Sequence, residues 1–171
     1  MATISRIGFG QLEPNHLSAQ RNGQVYGQLP AAAGIEVLEN GQFVKYNYAD
    51  NVCDFAGDGE WMLVYNEVKL YDDFWRESYK DFALQKAEGG EIVPRVLKTM
   101  IGDIFTTNCL EQRGYKGVKT EGTEELAVNA ELSPNAQGYL STAGDKSIVF
   151  QVVKVYTMPD GQAAVKVMRI K

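Results

Sequence analysis

At 171 residues, with 44% apolar and 23% charged side chains, the chain has the composition of an ordinary soluble globular protein, long enough for one good core or two small ones. No apolar run approaches the roughly 20 residues of a membrane-spanning helix, and the first residues lack the basic-then-apolar order of a secretory signal. The net charge of −5 is concentrated in residues 35–90, where five basic side chains face twelve acidic ones for a net −7, which argues against a nucleic-acid phosphate backbone as partner.

Residues 1–34 carry a net +1 and scatter Ile4, Ile7, Phe9, Leu12, Leu17, Val25, Tyr26 and Leu29 among Gly, Gln, Asn and Pro. These apolar positions follow neither a helical nor a strand period, so the segment is expected to lie as an extended arm across another surface. It is too apolar and too weakly charged for a disordered tail.

From Gly41 the pattern turns to β. Phe43, Lys45 and Asn47 alternate with Val44, Tyr46 and Tyr48, as in a strand. The turn-rich AGDG at 56–59 leads into EWMLVYNEVKLY, where Met62, Val64, Asn66, Val68 and Leu70 share one face and Trp61, Leu63, Tyr65, Glu67 and Lys69 the other. A strand buried on both faces at its start fits that run, paired antiparallel with the first.

An amphipathic helix is expected next. Asp72 and Asp73 stand where carboxylates cap free N–H groups, and Tyr71, Trp75, Tyr79 and Phe82 recur at helical spacing opposite Arg76, Glu77, Lys80 and Asp81. Gly89-Gly90 marks its expected end. Beyond it, IVPRVLKTMI and IFTTNCL are expected to form a hairpin across Gly102-Asp103. ELAVNAEL and GYLST flank Ser133-Pro134-Asn135, and SIVFQVVKVY and QAAVKVMRI flank the strong turn Met158-Pro159-Asp160-Gly161. The expected fold is mainly β: small antiparallel barrel or sandwich units with one amphipathic helix and an extended N-terminal arm. Its divisions are an arm (1–34), a β-hairpin plus helix unit (35–90) and an antiparallel barrel or sandwich (91–171).

Catalytic signatures are scarce. His16, the one histidine, sits in the arm between Asn15 and Leu17, a poor place for an oriented general base. No serine occupies a G-x-S-x-G elbow, and Gly8-Phe9-Gly10 lacks the third glycine and following helix of a phosphate loop. Cys53 and Cys109 are far apart, without the neighbouring ligands a zinc site needs, and read as two buried thiols. Asp50, Asp54, Asp58 and Glu60 recur without calcium-loop spacing; a weak calcium site at Asp54, Asp58 and Glu60 is the lesser reading, a solvated loop the better one. The chain is therefore expected to have no catalytic, cofactor or metal site.

The stretches LEPNHLSAQRNGQVYGQLP, ENGQFVKYNY and EIVPRVLKTMIGDIFTTN together resemble tailed-bacteriophage virion proteins, closest to the decoration or cement proteins that bind the outside of an assembled head. The likeness spans most of the chain and carries no diagnostic motif. It implies a β-rich protein that clamps the capsid lattice without catalysis, on the virion exterior after assembly in the host cytoplasm. The implied partners are the major capsid protein and neighbouring copies of the chain within an assembly, with no nucleic acid and no membrane. The arm would dock through Ile7, Phe9, Leu12, Leu17, Arg21, Val25, Tyr26 and Leu29. Other readings are a head-fibre base or tail component, and a soluble ligand-binding β-barrel or enzyme.

Overall fold

The computed structural model describes residues 8–16, 29–66, 83–111, 126–159 and 161–171. Among these the chain is built of strands and turns, with no helix. The expected helix over residues 71–82, Trp75 included, lies outside the described residues, as does the second half of the strand expected to run to Leu70. The stretch expected to carry that helix on to Gly89-Gly90 differs: Ala83–Gln85 is a strand, and Gly89 belongs to a turn closed by Gly90 N donating to the Ala87 carbonyl (2.9 Å).

Among the described residues, twelve strands form three antiparallel sheets. The largest, curled into a half-barrel, has the order β1 (Leu12–His16), β8 (Ile104–Thr107), β12 (Ala163–Arg169), β11 (Phe150–Thr157), β9 (Glu131–Pro134), β10 (Leu140–Ser141). The second has the order β4 (Val52–Asp54), β3 (Phe43–Asn47), β5 (Met62–Val64), β7 (Val96–Leu97). β2 (Val37–Glu39) pairs with β6 (Ala83–Gln85) as a separate ribbon.

Strand alternation explains how these sheets stack. In the second sheet Phe43, Leu63 and Leu97 lie opposite one another across β3, β5 and β7 and point into one core, while Val44, Met62, Val64 and Val96 point into another. The sheet is thus a partition with an apolar face on each side. Its first face meets the half-barrel, which contributes Leu12, Phe105, Leu132, Phe150, Val152, Val165 and Val167. At the centre, the Phe43 and Phe105 rings each approach Phe150 with centroids 5.4 Å apart. The second face is closed by Ile35, Leu38 and Ile92, with Leu29, Ala31, Ala32 and Leu84 packed around them. Val152 and Val155 both turn toward the first core although three residues apart, because a register shift between Val152 and Lys154 inserts a residue.

The hairpin expected at Met158-Pro159-Asp160-Gly161 forms there, whereas the reversal expected at Ser133-Pro134-Asn135 comes later, because Ser133 and Pro134 are strand residues paired with Ser141 and Leu140. Gly161 N donates to the Met158 carbonyl (2.8 Å) between β11 and β12, and Gly138 N donates to the Asn135 carbonyl (2.9 Å) in the turn from β9 to β10. The expected hairpin across Gly102-Asp103 is corrected. Asp103 N donates to the Met100 carbonyl (3.0 Å) and Gly102, with φ of 93°, stands third in the turn. The strands on either side then separate, β7 to β5 and β8 to β1 and β12, so this turn carries the chain from one sheet to the other. β5 and β7 therefore pair across the expected 90/91 boundary, and the first core draws on residues from both sides of it.

Candidate functional site

The segment expected to be an external arm enters the body within the residues described. Phe9 is 7% and Leu12 6% exposed, and Leu12 packs in the first core. Both side chains are thus covered within the chain itself. Leu29 is half-buried beside the second core. Ile7, Leu17, Arg21, Val25 and Tyr26 lie outside the described residues. His16 ends β1, its backbone opposite Ile104.

Where residues 8–12 meet the body, polar groups converge in the interior. The β2–β3 connection turns sharply, with Gln42 N on the Glu39 carbonyl (3.1 Å), and this sends the Glu39 side chain inward to 2% exposure. Its Oε2 accepts Gly10 N (2.6 Å) and its Oε1 accepts the Tyr139 hydroxyl (2.7 Å). Gln42 braces the same turn, accepting from Glu39 N (3.1 Å) and donating through Nε2 to the Gln137 carbonyl (2.7 Å). Nearby, Gln11 N donates to Asn108 Oδ1 (2.8 Å), and Thr107 Oγ1 donates to the Gln11 carbonyl (2.7 Å). Glycine is needed for this close approach: a methyl on Gly10 or Gly41 would press on the Cys109 side chain between them.

A buried carboxylate is tolerated only when hydrogen bonds replace its water, and Glu39 receives them from residues 29 positions earlier and 100 positions later. Chemically the cluster holds three chain segments together. Sequence reasoning did not find it, because Glu39-Asn40-Gly41-Gln42 reads locally as a polar turn.

The other feature is exposed. The turn at 100–103 presents Met100 at 48% and Ile101 at 74% exposure, and its base is tightly braced. Met100 N donates to Asp103 Oδ2 (2.8 Å), Gly102 N to the Arg169 carbonyl (2.8 Å), and Arg169 N to the Asp103 carbonyl (2.9 Å). The Arg169 guanidinium, at 10% exposure, donates to the Thr99 carbonyl and, from Nη2, to Glu60 Oε1 (2.6 Å). Lys98 Nζ reaches the other Glu60 oxygen at 3.0 Å. Burial alone would raise the Glu60 carboxyl, but the hydrogen bonds and charges of Lys98 and Arg169 outweigh it and hold it below the usual carboxylate range. The neighbouring Trp61 Nε1 donates to Asp145 Oδ2 (2.6 Å) while Lys45 lies 4.6 Å over the indole ring. Two apolar side chains thus stand on a rigid base.

Two of the three residues considered for calcium face other work. Asp54 Oδ1 accepts from Ala56 N (2.9 Å) and Gly57 N, and Glu60 is engaged by Lys98 and Arg169. Among the described residues no group of three or more His, Cys, Asp or Glu is placed to hold a metal ion. Cys53 and Cys109 are buried and outside any disulfide, and burial pushes the Cys53 thiol up to about 11. Comparison with protein-family models, with curated proteins and with solved structures finds no match for this chain.

Proposed function

We propose that this chain is a structural virion protein that binds the outer surface of a phage capsid and stabilises contacts between its subunits. The three sequence stretches that resemble decoration proteins support the class. The observation that carries the reading further is the Met100-Ile101 turn, an apolar tip whose backbone is already fixed by Asp103 and Arg169. A preorganised tip loses little conformational entropy on docking, and that ordering is one of the costs of binding through an exposed loop. In this reading the tip, rather than Phe9 and Leu12, touches the major capsid protein, and the protein acts without catalysis on the virion exterior after assembly in the host cytoplasm. Neighbouring copies of the chain are included among the partners.

The competing ligand-binding barrel needs an open interior. On the concave side of the half-barrel the space is filled by Phe43, Phe105 and Phe150, all fully buried, which favours the structural role. Co-sedimentation of the purified protein with empty cognate capsids tests the proposal. Saturable binding is expected, with Ile101→Asp weakening it by about tenfold or more, as for loss of a buried apolar anchor. Absence of binding would remove the proposal, and undiminished binding by Ile101→Asp would remove the turn from it.

A further inference from the structure

Residues 8–16 come early in the chain yet are held by groups far along it. Gln11 is bonded through its backbone to Asn108 and Thr107, 97 and 96 positions away. β1 pairs along one side with β8, and among the described strands nothing pairs with its other side. Its register breaks between Glu13 and His16, at the position of Pro14, which has no N–H to give a ladder. Only Phe9 and Leu12 bring buried apolar side chains to the attachment. The sheet behind does not depend on this strand, since β8 keeps its pairing to β12 and β12 to β11. Edge elements with few apolar anchors open locally before the body unfolds.

We infer that residues 8–16 form a strap that opens as a unit, latched by the Glu39 carboxylate and covering the Cys109 thiol. The latch is anchored to the body, because Tyr139 and Gln42 hold Glu39 whether or not Gly10 is seated. The cover is direct. Gly10 lies so close to Cys109 that even a methyl would strike its Cβ and Sγ, and Cys109 is fully buried. Cys53 is an internal reference, being buried in the other core beneath residues 29–32, with Cys53 N on the Pro30 carbonyl (2.8 Å) and Ala32 N on the Cys53 carbonyl (2.9 Å). Opening also frees the β8 edge, making the half-barrel available to another strand.

Thiol labelling of the full chain with a small thiol-specific reagent, resolved by site with peptide mass spectrometry, reads the strap directly. Glu39→Gln keeps the shape but replaces the charged acceptor with a neutral amide. It should speed Cys109 labelling by about tenfold or more, the effect of weakening one charge-assisted hydrogen bond. Cys53 labelling should change by less than about twofold, because its cover does not open with the strap. Tyr139→Phe, which leaves the carboxylate and its bond to Gly10, should move Cys109 in the same direction by a smaller factor. Equal acceleration of both thiols, or no change at Cys109, would overturn the strap. Should Glu39→Gln fail to fold, amide exchange in the unaltered protein decides: Gly10 and Gln11 are expected to exchange faster than Val152 and Val167, and equal protection of all four would overturn it.

Discussion

Leu12→Ala separates a strap that belongs to the fold from an arm that merely trails from it. Leu12 is 6% exposed, lies opposite Thr107 in the β1–β8 ladder and packs in the first core. Removing a buried leucine side chain loses its transfer free energy and leaves a cavity, together about 2–5 kcal/mol. For a domain of this size each kcal/mol moves the thermal midpoint by about 2–4 °C, so a loss near the middle of that range, about 3.5 kcal/mol, lowers it by about 7–14 °C. The loss has a ceiling: once the strap opens more easily than the cavity is endured, further damage to it no longer destabilises the body. Urea denaturation followed by tryptophan fluorescence, beside a thermal scan by circular dichroism, measures both quantities. Ile101→Ala, at 74% exposure, is the control and should stay within about 0.5 kcal/mol. A Leu12→Ala protein as stable as that control would refute the placement of β1 in the core.

Gly138→Ala should be far more damaging than Gly102→Ala in the same assay. Both have positive φ, at an expected cost of about 1–2 kcal/mol, but space is open around Gly102 while a methyl on Gly138 would run into the Phe43 carbonyl oxygen; equal losses would contradict this. Acid sensitivity should trace in part to Glu60, whose lowered pKa means a stabilising contribution present above its ordinary value of 4.5 and lost as pH falls through the folded value. The advantage of the unaltered protein over Glu60→Gln should therefore hold near pH 6 and shrink below about pH 4.5 in denaturation curves; an advantage that grows on acidification would reverse the assignment.

The parts legible in the sequence were those where side-chain period or turn chemistry is local. Met62 and Val64 against Trp61 and Leu63 announced a strand buried on both faces, and the two faces do enter different cores. Pro159 and Gly161 marked a reversal that joins the two longest strands. Gly102-Asp103 also marked a reversal, but turn residues fix only the direction of the chain and not the strand it next meets. β7 and β8 consequently found partners in different sheets. The attachments of residues 8–16 were not legible for a related reason. Two apolar side chains produce no period, and the remaining attachments run through backbone groups to Glu39, Asn108 and Thr107, which no local window contains. The Glu39 cluster was hidden in the same way: a carboxylate in a polar turn looks solvated until Gly10 and Tyr139 close over it.

Electron cryo-microscopy of empty cognate capsids incubated with the protein tests the proposed role most directly. Regularly placed density on the outer surface is expected, fitted by the half-barrel and its partition sheet, with the Met100-Ile101 turn facing the lattice. Bare capsids at saturating protein, or density confined to the tail or the capsid interior, would contradict it.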